Sequence, residues 1–111
     1  MKVRIVKWSN VLNRCKHDLK MLNAFEDFRR RLKYAEEWTK PQDIIEFYQN
    51  SDLVSCEKGQ QSRIVFNIGL NKYRMICGYH FGETYAALFI KFVGTHKEYD
   101  KVDTCTINMF K

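Results

Sequence analysis

At 111 residues and 45% apolar content, the chain is long enough for one packed core and too short for a second, so 1–111 reads as a single domain and multidomain enzymes are excluded. Nineteen lysines and arginines against thirteen acidic residues leave a net charge of +6, which points to a polyanionic partner, nucleic acid first. The start, Met1 to Lys7, alternates cations with aliphatics and lacks the apolar run of a signal peptide or membrane span. A cytoplasmic location and no membrane partner are therefore expected.

Taken in chain order, Lys2 to Trp8 alternates with period two and predicts a short strand, with Ser9-Asn10 as the N-cap signal of a helical region. Leu12, Cys15, Leu19 and Leu22, then Phe25, Phe28, Leu32 and Ala35, recur at three- and four-residue steps and predict an apolar stripe facing the core. The region 9–38 fits one long helix or two; a two-helix hairpin jointed at Asn23 is the preferred form. Arg29-Arg30-Arg31 points in three directions on a helix and reads as a solvated face. Pro41, ahead of Asp43 to Tyr48, suits the first turn of a further short helix. Residues 50–61 read as a polar connection around Leu53-Val54.

The period then changes. Arg63 to Ile68 alternates, Gly69-Leu70-Asn71 supplies a turn, Lys72 to Tyr79 makes a second strand, and Thr84 to Val93 a third that is apolar except for Lys91. Three short-turned strands predict an antiparallel meander with one apolar face for the helices and another that collects Arg63, Arg74 and Lys91. A short C-terminal helix starting near Lys97 is expected to run through Tyr99, Val102 and Cys105. The fold class is α+β, with an antiparallel sheet of three to four strands packed on N-terminal helices. The final Asn108-Met109-Phe110-Lys111 has no role in this scheme.

Cys15, Cys56, Cys77 and Cys105 are too scattered for a C-x-x-C pair, and a cytosolic setting favours free, buried thiols. His17, His80 and His96 do not complete a ligand set, so no metal or other cofactor is expected. The densest chemistry lies in Thr95-His96-Lys97-Glu98-Tyr99-Asp100, directly behind the third strand. There an imidazole that titrates near neutral pH stands with an amine, a phenol and carboxylates.

Val65-Phe66-Asn67-Ile68-Gly69, Asn71, Arg74 and the closing run Thr95 to Asp100 resemble the HigB-type toxins of bacterial toxin–antitoxin modules, within the RelE-like superfamily. The resemblance spans about residues 63–103. It implies a RelE-like fold and a metal-independent endoribonuclease, an mRNA interferase that enters the ribosomal A site and cuts translated mRNA. It further implies neutralisation by a HigA-like antitoxin with a helix-turn-helix domain, and operator DNA bound only through that complex. Within such a site the catalytic candidates are Arg74 as a two-pronged phosphate clamp and His96, with Lys97 and Tyr99, for proton transfer. Arg63, Lys72, Lys91 and Asp100 are the substrate-binding candidates, Asp100 also serving to fix a neighbouring cation. Two rivals share the basic character: a non-catalytic RNA- or ribosome-binding module, and a DNA-binding corepressor acting with its partner.

Overall fold

A computed structural model of the protein describes residues 2–110. One mixed sheet organises it, in the order β1-β5-β4-β3-β2. Its strands are β1 (Lys2–Val6), β2 (Ser51–Val54), β3 (Arg63–Ile68), β4 (Tyr73–Phe81) and β5 (Tyr85–Thr95). β2 to β5 pair antiparallel, and β1 returns beside β5 in parallel, Lys2 opposite Tyr85 and Val6 opposite Phe89. The sheet thus has five strands where three to four were expected. The addition is β2, which lies in the stretch expected to be a polar connection; four residues with one half-buried aliphatic pair are too short to show a period, and pairing with β3 creates the strand.

The helices are α1 (Ser9–Arg14), α2 (Leu19–Arg31), α3 (Pro41–Phe47) and α4 (His96–Tyr99), with a 3-10 turn at Leu32–Tyr34 after α2. The region divides into two helices, as preferred, but the break falls at Asp18 rather than at Asn23, which lies inside α2. The Asp18 carboxylate accepts from the Met21 N–H at 3.1 Å and so caps α2. The N-cap of α1 is Trp8, without a side-chain bond, in place of Ser9-Asn10. That break rotates the helical faces. Met21, Phe25 and Phe28 are buried with Val11 and Cys15, whereas Leu12 and Leu19, both expected inside, stand 43% and 69% exposed. α3 starts as read, with Pro41 in its first turn, and Asp43 accepts from the Thr39 and Lys40 N–H groups at 2.8 and 3.2 Å.

The helix-side face carries the main core: Phe25, Phe28, Ile44, Ile64, Phe66, Ile68, Met75, Leu88 and Val93 are fully or almost fully buried. Phe28 centres an aromatic group, 4.9 Å from the Phe66 ring and 5.0 Å from Tyr48. Each such side chain contributes roughly 1.5–3 kcal/mol on leaving water.

On the opposite face Val65, Ile76 and Phe92 form a smaller buried cluster, and the chain beyond β5 turns back to cover it with Tyr99, Val102 and Ile107. α4 lasts four residues instead of running on to Val102 and Cys105. Turns follow it, and Arg63 Nη1 donates to the carbonyls of Thr104 and Ile107 at 2.9 and 2.6 Å. Phe110 packs against the main core, which gives that terminal residue a role, while Met109 stays exposed. The same crossing brings Cys105 against the β2–β3 connection, where it forms a disulfide with Cys56, Cα atoms 5.7 Å apart. Four free thiols were expected. Cys15 and Cys77 are free and buried, but contact between segments distant in sequence pairs the other two.

Candidate functional site

The β3–β4 connection builds one wall of the site. Gly69, Leu70 and Asn71 all take left-handed backbone angles, φ +64°, +55° and +70°, and only the glycine does so without cost. A Cβ on Gly69 would also stand 2.9 Å from the Tyr73 ring. This tight turn aims the Asn71 carbonyl at Arg74, whose Nη1 donates to it at 2.9 Å and to the Tyr73 carbonyl at 3.1 Å. Arg74 is only 9% exposed. Its Nη2 lies 3.1 Å from Nδ1 of His96, and its guanidinium carbon 5.8 Å from the centre of the Tyr99 ring.

α4 builds the facing wall. So short a helix has little intrinsic stability, and a reciprocal cap holds it. Glu98 N–H donates to Thr95 Oγ1 at 3.1 Å, and the Glu98 carboxylate accepts from Thr95 N–H at 2.9 Å. Arg14, on α1, adds an ion pair to Glu98 at 2.6 Å. The Thr95 N–H first, then Arg14, hold the Glu98 carboxyl below the ordinary glutamate value. Across the turn, His96 N–H donates to the Lys72 carbonyl at 3.0 Å and locks both walls together. Gly94, opposite Arg74 in the β4–β5 ladder, admits the Phe92 ring, 2.7 Å from where a Cβ would stand.

Arginine has no acceptor, so in this contact His96 Nδ1 must be the accepting nitrogen and the ring proton sits on Nε2. Arg74 therefore selects one neutral tautomer. Nε2 lies 3.5 Å from Asp100 Oδ1, both side chains being at least half exposed. Arg74, His96 and Asp100 thus lie in a row, the first contact a hydrogen bond and the second a looser approach, open to solvent at the carboxylate end. Two Nη1 bonds and one Nη2 bond occupy most of the Arg74 donors, so the geometry offers a fixed positive floor rather than the two-pronged reach expected of a clamp.

Of the residues singled out from sequence, Arg74, His96, Tyr99 and Asp100 meet here, with Lys72 and Lys97 exposed on the two walls. Tyr99 is half-buried; its ring faces Phe92 at 6.4 Å and its hydroxyl accepts from Thr104 Oγ1 at 3.4 Å. Arg63 stands elsewhere, tied to the C-terminal segment, and burial lowers its pKa. Lys91 is the extra residue of a β-bulge opposite Ile76 and Cys77, beside Gly78.

Three features escaped the sequence reading. The cap was legible as Thr95-x-x-Glu98, whereas no local signal announces Arg14, 84 positions away. The third is an exposed row of amides beside Arg74. Asn67, its cross-strand neighbour, donates to Asn50 at 2.9 Å, and Asn50 donates to Asn71 at 3.2 Å. Among the described residues no group of three or more histidine, cysteine or acidic side chains is arranged to hold a metal ion, and no helix is long and apolar enough to cross a membrane.

A family model described as HigB toxin, the RelE-like toxic component of a toxin–antitoxin system, matches residues 22–102. The match covers well over half of the chain and includes every candidate site residue. No curated protein matches it.

Proposed function

Because the chain belongs to the HigB family of RelE-like toxins, the toxic components of toxin–antitoxin systems, we propose that it acts as a ribosome-dependent mRNA interferase. In this reading it cuts translated mRNA in the A site, stops translation and growth in the cytoplasm, and is neutralised by a HigA-like helix-turn-helix antitoxin. Operator DNA is reached only through the complex with that antitoxin. The observation that carries the reading is the Arg74–His96–Asp100 row on an open face with Lys72 and Lys97 beside it. An uncovered basic site suits a polymer presented by a larger particle.

Cleavage forms a bond from the 2′ oxygen to phosphorus and breaks the bond to the 5′ oxygen, leaving a 2′,3′-cyclic phosphate and a 5′ hydroxyl. With its proton on Nε2, His96 donates to a phosphate oxygen, while the Arg74 charge behind it stabilises the pentacoordinate centre. Asp100, which in its ionised form has acceptors and no donor, takes the 2′ proton. Lys97, or Tyr99 through its hydroxyl, returns one to the leaving 5′ oxygen. These side chains cover each step without a metal.

One observation favours a non-catalytic RNA-binding module instead: Arg74 spends most of its donors inside the protein. Mapping mRNA 5′ ends after induction, in translating and in translation-blocked cells, separates the two. The nuclease reading expects new ends inside translated frames that vanish when translation is blocked. Ends that persist under the block would contradict ribosome dependence, and growth arrest without new ends would favour the binding module.

A further inference from the structure

A broad groove along β1 plays no part in this chemistry. About 1260 Å³ in volume, it runs along all of β1, with Thr84 at one end and Glu26, Arg29, Arg30, Leu32 and Lys33 across from the strand. β1 pairs with residues 85–89 of β5, whereas the catalytic candidates cluster at the other end of that strand, His96 to Tyr99 beyond Thr95 and Arg74 opposite Gly94. β1 is also a terminal strand, and β5 is its sole strand neighbour among the described residues. A strand in that position turns alternate N–H and C=O groups away from its partner, a template for another strand.

The groove is strongly basic. Lys2, Arg4, Arg29, Arg30 and Lys33 line it, and its one carboxylate, Glu26, already accepts from the Trp8 indole N–H at 3.1 Å. Two of the guanidinium groups are held by aromatic rings, Arg4 at 5.0 Å from the Tyr85 centroid and Arg29 at 5.2 Å from Trp8. Planar donors fixed in this way are ready to meet carboxylates in pairs. Cations on β1 alone would be the ordinary defence of an exposed edge. Such a defence does not call for Arg29, Arg30 and Lys33 on the far bank, nor for an apolar floor of Val3, Ile5 and Leu32 between the banks.

We propose that this groove is the antitoxin-docking surface: an acidic, extended segment of the antitoxin adds to the free edge of β1 as a further strand. Its carboxylates meet Arg4, Arg29 and Arg30, and its apolar side chains rest on Val3, Ile5 and Leu32. The proposal rests on the toxin–antitoxin reading and not on the nuclease mechanism. RNA would use the charge of the groove but neither the strand edge nor the apolar floor, and so fits it less well.

The test uses the full chain and the full-length antitoxin encoded beside it. Reversing three cations (R4E, R29E and R30E together) is expected to weaken the complex by about tenfold or more and to flatten its salt dependence. Reversing the exposed Lys16 and Lys20, which do not line the groove, serves as the control and should change affinity little. In the unmodified complex, amide hydrogen exchange of β1 should slow relative to the free chain, a readout that survives even if the triple variant folds poorly. Unchanged affinity together with unprotected β1 amides overturns the proposal. Lost ribosome binding with intact antitoxin affinity also overturns it and assigns the groove to RNA. Absence of mRNA cleavage by the unmodified chain would sink the nuclease reading and leave these binding results standing.

Discussion

The two faces of the sheet are built by the same three strands, β3, β4 and β5, yet they are stabilised by different means. On the helix side, interlocking aromatic and aliphatic side chains exclude water, and the burial is redundant. On the other side, three apolar residues lie under a turn-rich segment that relies on Arg63, a disulfide and a four-residue helix. The first face makes the protein stable; the second places His96 against Arg74. Geometry held by a few specific bonds can be tuned for chemistry at little risk to the fold, and it can also be lost one bond at a time.

The contrast breaks most visibly with Phe66→Ala on the helix side. Its cavity should cost about 3–5 kcal/mol, read as a fall in the urea midpoint, and wild-type stability in that variant would refute the division. His96→Ala should instead leave the midpoint within experimental scatter while lowering cleavage about 10²–10³-fold. His96→Gln, which retains an N–H donor near the Nε2 position, should keep more activity than alanine. Equal losses would count against His96 acting as a donor. Reduction of Cys56–Cys105, which links positions 49 apart in sequence, should cost about 2–4 kcal/mol. Urea unfolding with and without dithiothreitol checks it, and an unmoved midpoint would show that the C-terminal cover does not need the link.

The smallest effect concerns Glu98. Folding lowers its pKa, so the stabilisation is complete above the ordinary glutamate range, near about pH 4, and is lost as pH falls through the lowered value. Wild type should exceed Glu98→Gln slightly in melting temperature at neutral pH and converge with it in acid. A small gap is expected because the side chain is 48% exposed. A gap that widens in acid would reverse the assigned sign.

Much of the fold was legible along the chain because its signals are local. Period-two alternation marks β1 and β3, a glycine-led turn separates β3 from β4, and Pro41 opens α3. Errors arose where a local pattern had competitors. Leu19 matches the helical stripe as well as Phe25 does, but the Asp18 cap sets the phase of α2 and Met21 takes the interior; in the separate α1, Val11 is buried in place of Leu12. The candidate site was drawn from the residue types of Thr95 to Asp100 and, for Arg74, mainly from the family resemblance. Its internal order was not readable, since a histidine tautomer depends on which donor reaches which nitrogen.

By itself, then, the sequence determined most of the elements, the basic character and the residues able to handle protons, because each follows from periodicity or side-chain chemistry. Tertiary structure alone decided that Arg74 anchors His96 instead of reaching outward, that Arg63 serves the C-terminal segment, that Arg14 supports Glu98 and that Cys56 meets Cys105. Each joins positions far apart in sequence, and only the crossing of the chain over a twisted sheet brings such positions within bonding distance.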